Sequence, residues 1–387
     1  MRRRFKHLEL TMVALLSLMI GCDRSVSTAP DAAPGQTKTS TDSAMNGHNY
    51  SEKRLPSTNP PGGLRPEQVP LFIAFGWDDN GDPSGLQWSL DLMTGRTNPA
   101  GNDNASTFDG TDLTATYYNT SSYVAATGEL WKTAWESGHE IGNHTQSHGQ
   151  HLQSVDDLKP WQAEIDACTA TLVDRVGIPS DAIVGFRTPF LGTSEGALAA
   201  VYSRGFDYDC SLEEGFSKDA DGTNFIWPYT LDNGSPGNSL LVEWGAKKPI
   251  QPKPGLWEMP VYAYVVPPDH ACERYGVEVG LRDRLHAKVD YFDPAGGQIT
   301  GFDYNLWVEF EMTAKEVTAT LKYSLDQRLA GNRAPFLLGV HSDEYAAANS
   351  ERRPAIREFL DYALTKADVR VVSTQRVLAW LRDPVAL

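Results

Sequence analysis

The 387-residue chain reads as an α/β protein whose parallel sheet is closed or wound by helical crossovers. Three observations carry that reading. Short apolar runs bounded by turn residues alternate with stretches of helical spacing. Several of those runs end on polar residues, the place where barrel enzymes put their chemistry. A composition of 41% hydrophobic and 22% charged residues suits a large globular domain and excludes a disordered or collagen-like chain.

The N-terminus reads as a targeting segment. Arg2-Arg3-Arg4-Phe5-Lys6 is basic, and Leu10 to Ile20 is an apolar run too short for a mature membrane span but suited to a signal peptide. Leu18-Met19-Ile20-Gly21-Cys22 resembles a bacterial lipoprotein processing box. It marks residues 1–21 as a signal peptide and Cys22 as the lipidated residue, with plain cleavage and an incidental Cys22 as the alternative. Residues 22–66 are rich in Ser, Thr, Pro, Asn, Gly and Asp and read as a flexible polar tether. Residues 67–387 are the single folded domain. The expected location is the cell envelope, on the periplasmic or outer-surface side of a bacterial membrane and held there only by the lipid anchor.

Along the domain the elements follow in order. Leu71 to Trp77 is a buried strand, Thr114 to Tyr118 a second, and Leu130 to Ser137 a helix feeding a strand at His139 to Asn143. Asp156 to Val176 carries Trp161, Ile165, Leu172 and Val176 at helical spacing, with Gly177 as its stop. Strands are expected at Ala182 to Phe186, Gly205 to Ser211, Trp257 to Val265, Pro335 to Val340 and Val369 to Val372. Helices are expected at Glu195 to Ser203, Thr313 to Leu329, Arg352 to Leu364 and Thr374 to Leu381. Asn80 to Leu113 and Asp269 to Asp303 look like long insertions that wall a cleft and favour short chains. The formal charge of −16 argues against nucleic acid as a partner, because an acidic surface repels phosphates.

Four features carry chemistry. His144 and His148 stand four apart, on one face if the turn is helical, and two imidazoles suit zinc, cobalt, nickel or iron. Scattered surface histidines are the other explanation of that pair. Asp78 and Asp79 close the first strand. Neighbours on a strand point opposite ways, so one can ligate a metal while the other serves as a base; a simple Asx-type turn with Asn80 is the alternative. Arg187 follows a strand and can hold a carboxylate through paired hydrogen bonds, or form a surface ion pair. His341 follows the run Phe336 to Val340 and can donate a proton, or be a hydrogen-bonded core histidine. Three of the four lie at strand tips, an agreement that unrelated accidents do not produce.

In that order these residues resemble the polysaccharide deacetylases, carbohydrate esterase family four. The context agrees: GHEIGNHTQSH at 138–148, GFRTPF at 185–190 and GFDYDCS at 205–211. WPYTLDNG at 227–234, GLWEMPV at 255–261 and the C-terminal STQRVLAWLRDP at 373–384 resemble the chitin-deacetylase-like branch. The resemblance implies a distorted (β/α) barrel with fewer than eight regular units. It implies one divalent metal held by Asp79, His144 and His148, zinc foremost, with cobalt, nickel or iron as alternatives. It gives Asp78 the role of base, Arg187 that of its orienting partner and His341 that of acid. The backbone N–H of Phe190 is the implied oxyanion donor.

The implied substrate is an N-acetylated glycan, chitin or chito-oligosaccharide before peptidoglycan. Alternatives are hydrolysis of acetyl esters or small amides on the same fold, and a non-catalytic glycan-binding lipoprotein. The first motif reads Gly76-Trp77-Asp78-Asp79-Asn80 rather than the family's usual form, and Phe190 replaces a tyrosine. The last motif is Gly339-Val340-His341, so the acetyl pocket must be built differently from the usual leucine version. The fourth motif has only Asp207 or Asp209 as a loose counterpart.

The sequon Asn143-His144-Thr145 falls inside the metal motif and signals nothing more. His139 and His151 read as structural or surface residues. Among the tryptophans, Trp77, Trp88, Trp131, Trp135, Trp227, Trp257 and Trp307 include candidate sugar platforms, most of them core. With Cys22 set aside, Cys168, Cys210 and Cys272 remain, an odd number. Cys168 precedes the Arg187 strand and Cys210 follows it, so those two form the expected disulfide. Nothing indicates an oligomer.

Overall fold

Strand β1, Leu71–Asp79, is the axis of the molecule, and its side chains explain why. Leu71, Ile73, Phe75 and Trp77 enter one apolar core, while Phe72 and Ala74 enter a second on the opposite face. Only a strand covered on both sides can bury such an unbroken apolar run. The computed structural model describes residues 51–152, 155–243 and 248–387. The expected signal peptide, Cys22 and the expected tether as far as residue 50 lie outside the described residues, as does the His151 side chain.

The other strands of the main sheet are β2 Thr116–Asn119, β3 Glu140–Asn143, β4 Gly185–Phe186, β5 Tyr208–Asp209, β6 Tyr229–Leu231, β7 Lys253–Glu258, β8 Phe336–His341 and β9 Val369–Val371. Their order is β8-β1-β2-β3-β4-β5-β7-β6, with β9 also paired to β1. All neighbours are parallel except β6 and β7. The sheet curls into a half-barrel whose ends, β8 and β6, are unjoined among the described residues. This is the distorted barrel that the sequence leads one to expect.

The crossover helices are α1 Pro83–Met93, α2 Val124–Glu136, α3 Leu158–Thr171, α4 Glu195–Ser203, α5 Ala314–Ala330 and α6 Arg353–Leu364, and α7 Thr374–Arg382 follows the last strand. Local chemistry sets their ends. Asp82 caps α1 by accepting from the Ser84 and Gly85 amides, Thr313 and Glu316 form a reciprocal box at α5, and Ser373 caps α7. Gly177, in the left-handed conformation at φ 88°, ends the turn after α3.

Several expectations need correction. Asn80 to Leu113 is not merely a wall, because it contains α1, the first crossover helix. The strand expected at 257–265 is broken into β7, Val261–Tyr262 and Tyr264–Val265, since Pro260 has no amide to continue the ladder. The flexible tether cannot extend to residue 66. Arg54 exchanges backbone and side-chain hydrogen bonds with Thr230 on β6, and Ser57 accepts from the Trp227 amide. That segment covers the edge of the sheet, which would otherwise expose unpaired backbone groups.

The disulfide is absent. Cys168, Cys210 and Cys272 are all free and buried. Cys168 belongs to the core on the helix side and Cys210 to the core inside the curl, so the sheet separates them. Their thiols face the carbonyls of Asn119 and Phe186 instead. No described helix is long and apolar enough to cross a membrane.

Candidate active site and metal centre

The inner face of the sheet turns polar at the C-terminal tips of its strands. Asp78 on β1 and His341 on β8 are register partners on adjacent parallel strands, both directed into the curl. Two register steps earlier stand Gly76 and Gly339. A β-carbon on Gly76 would lie 2.8 Å from Nη1 of Arg187, so glycine there leaves room for the guanidinium.

β1 ends in two left-handed residues, Asp79 at φ 65° and Asn80 at φ 59°. The Asn80 side-chain amide donates to the Trp77 carbonyl and to Asn119 Oδ1, both at 2.8 Å, which stabilises the bend. The bend is therefore held by Asn80, whose side chain donates rather than accepting as an Asx turn requires, and neither aspartate carboxylate is used to make it. The bend also changes the expected geometry. Asp78 and Asp79 do not diverge; both approach His144 Nε2, at 3.9 and 3.6 Å.

His144 follows β3, and its Nδ1 lies 2.8 Å from the Arg187 carbonyl. That bond makes Nδ1 the N–H and leaves the Nε2 lone pair directed at Asp79. His148 Nε2 is 3.2 Å from Asp79 Oδ1. The four-residue spacing is not helical: Thr145 and His148 have φ of 69° and 51°, and a turn rather than a helix brings the rings to 5.0 Å. Ligand atoms of Asp79, His144 and His148 all lie within 4.8 Å of one another. One carboxylate and two imidazole nitrogens are a suitable donor set for zinc or a related divalent ion. Burial pushes both histidines down to about 4 against the pull of Asp79, so they are neutral, the form that ligates.

Arg187 is buried, donates from Nη1 to Asp78 Oδ1 at 2.8 Å and from Nε to the Cys210 carbonyl at 3.0 Å. Its guanidinium lies over the rings of Tyr118 and Phe302, at 4.4 and 5.1 Å. Burial raises the Asp78 carboxyl to about 6, with Arg187 opposing the rise. Phe190 sits in a left-handed turn at φ 57°, its ring 4.3 Å from that of His148.

Two residues of the site are absent from the sequence reading. Asp303 is buried, and its Oδ1 lies 2.7 Å from Nδ1 of His341. It comes from the segment taken for an insertion, and no spacing in the chain signals it. Burial alone would lower the His341 imidazole, but Asp303, with Asp79 and Asp78, raises it to about 9. Asp207 and Asp209 play no such part: Asp207 pairs with Arg382, and Asp209 is bonded to Ser211. The second is Phe302. Its ring occupies the space over Gly339, where a β-carbon would come within 2.4 Å of it, and lies 5.3 Å from the His341 ring.

Among the described tryptophans, all but Trp135 are buried. The exposed ring near the site belongs to Tyr123, 39% accessible, on the turn after β2. It packs on Gly81, and its turn is tied to the His144 loop by Ser121 N–H to Thr145 O and Ser122 N–H to Gln146 O. His139 lies at the start of β3, where its Nδ1 accepts the Ala115 amide, a structural role.

A sequence profile described as polysaccharide deacetylase matches residues 101–208, a range holding His144, His148, Arg187 and Phe190. Chitin deacetylase 8 of Bombyx mori is 26% identical over 351 residues, spanning 86% of this chain and 76% of that protein. A crystal structure described as a polysaccharide deacetylase of Mycobacterium smegmatis superposes with a TM-score of 0.51 at 16% identity, covering 84% of this chain and 93% of the other.

Proposed function

On the premise that this chain belongs to the polysaccharide deacetylase family, hydrolases of N-acetyl groups, we propose that it deacetylates N-acetylglucosamine-containing glycans, chito-oligosaccharides foremost. One observation carries the reading. A carboxylate gripped by an arginine and an imidazole gripped by a carboxylate stand as register partners beside a three-ligand cluster.

Asp79, His144 and His148 would hold one divalent ion, zinc suiting the donor set best. When bound, such an ion lowers the pKa of water and polarises a carbonyl. The chain's own groups do the rest. Arg187 fixes one oxygen of Asp78, leaving the other to take a proton from the attacking water. The Phe190 N–H, on its left-handed turn, serves the developing oxyanion. His341, protonated and directed by Asp303, gives its proton to the departing amine, which is otherwise a poor leaving group. Phe302 supplies the apolar wall for the acyl methyl that Gly339 itself cannot. The exposed Tyr123 ring gives a sugar a face to stack on. Export and lipidation at Cys22 are part of the proposal and rest on the N-terminal sequence alone.

The test is acetate release from N-acetylglucosamine oligomers by the zinc-loaded chain beside its Asp78→Asn variant. Release by the parent alone supports the proposal. Release from peptidoglycan or acetyl esters, and none from the oligomers, would replace the substrate class. Metal binding with no hydrolysis of any of them would leave only a binding protein.

A further inference from the structure

Two carboxyl groups stand side by side in the floor of the curl, where the chemistry described above does not use them. Asp209 on β5 and Glu258 on β7 are register partners on adjacent parallel strands, and both are fully buried. Two ionised carboxylates at such a spacing, away from water, repel strongly. The hydrogen bonds distinguish the two. Asp209 uses both oxygens as acceptors, Oδ2 from the Ser211 amide at 2.9 Å and Oδ1 from the Ser211 hydroxyl at 2.8 Å. Glu258 accepts the Leu212 amide on Oε1 at 3.1 Å, and its buried Oε2 has no donor. An oxygen in that position is satisfied if it carries a proton and donates it to the carboxylate beside it.

The pair leads directly to Arg187. Ser211, held by Asp209, accepts the Thr188 amide on Oγ at 2.9 Å. The intervening Cys210 carbonyl accepts Arg187 Nε at 3.0 Å. Residues 209–211 therefore set both the backbone after Arg187 and the guanidinium that grips Asp78.

We propose that Asp209 and Glu258 share one proton and act together as the positioning element for Arg187, and through it for Asp78. The second half rests on the role given to Asp78 above; the first half does not. Electrostatics agree. Burial, reinforced by the neighbouring Asp209, raises Glu258 well above the usual carboxyl range, so it is the protonated member. Burial raises Asp209 only to about 6, because Glu258, Ser211 and Arg187 favour its ionised form. Glu214, Tyr229 and Tyr262 also face Glu258. None of them brings a positive charge that would ionise it.

The experiment uses the whole chain. Infrared difference spectra at pH 7 between parent and Glu258→Gln should show loss of a protonated-carboxyl stretch. No such loss overturns the shared proton, whatever the substrate proves to be. With N-acetylglucosamine oligomers, Asp209→Asn leaves Ser211 one acceptor short and should lower kcat about tenfold or more, with KM and bound zinc unchanged. Glu258→Gln, which keeps a neutral donor, should retain about tenfold more kcat than Glu258→Leu. Parental kcat in Asp209→Asn, or equal activity in the two Glu258 variants, overturns the positioning role. If Asp209→Asn fails to fold, Ser211→Ala tests the same link with the same expected loss. A parent inactive on the oligomers refutes the substrate reading and leaves the infrared result standing.

Discussion

The Asp303 carboxylate lies 2.7 Å from Nδ1 of His341 and also accepts that residue's backbone N–H at 3.0 Å, so one side chain fixes the place of the imidazole and its tautomer. It supplies charge as well as position. Burial disfavours the imidazolium, yet Asp303 with Asp79 and Asp78 raises its pKa to about 9.

A pH prediction follows from the sign of that shift. An acid raised to about 9 is protonated below that value and loses its proton as the pH climbs through it, so turnover should fall on the alkaline side of about 9. Asp303→Asn removes the stabilising charge and should move that limb to lower pH by about one unit or more. Rate profiles of the two proteins check this. An unmoved limb would take the proton-donating role away from His341.

The two aspartates of β1 should separate by function. Asp78→Asn keeps an acceptor for Arg187 but has no basic oxygen, so turnover should drop about 10²- to 10⁴-fold with zinc content unchanged. His144→Ala should lose metal and activity together. Metal analysis beside acetate release distinguishes them; loss of zinc in Asp78→Asn would merge the two roles.

Phe302 and Gly339 should set acyl size. Phe302→Ala removes the ring over Gly339 and should raise the preference for propionyl over acetyl about tenfold. Because the ring is buried, the same change should cost about 3–5 kcal/mol of stability, read from denaturant unfolding. An unchanged acyl preference in the folded variant would make Phe302 packing only.

Tyr123→Ala should act on glycan length and not on chemistry. An aromatic face contributes about 1 kcal/mol, which is about fivefold in KM for oligomers. Hydrolysis of a small acetyl ester should keep its kcat. Equal losses on both substrates would place Tyr123 elsewhere in the mechanism.

Much of the site was legible because its parts sit at the ends of apolar runs. Asp78, Asp79 and His341 end, and Arg187 follows, a strand whose burial is written in its own residues, and a parallel sheet gathers those ends at one edge. What failed concerned direction and distance. Strand alternation predicts the two aspartates on opposite faces, and the spacing of His144 and His148 predicts one shared face only if the turn is helical. Left-handed residues at Asp79, Asn80, Thr145 and His148 overrode both assumptions. The disulfide failed for a related reason, since the two cysteines that flank the Arg187 strand in sequence belong to separate cores on opposite faces of the sheet.

The sequence by itself determined the alternation of strand and helix, the order of the motifs and the residue types at the strand tips. These are consequences of local burial and covalent order, and they survive without knowledge of any neighbour. Only the tertiary structure decided that Asp303 serves His341, that Phe302 fills the space over Gly339 and that Asp209 stands against Glu258. Each of those relationships joins residues far apart in the chain. Strand order and register create such proximity, and no local pattern records it.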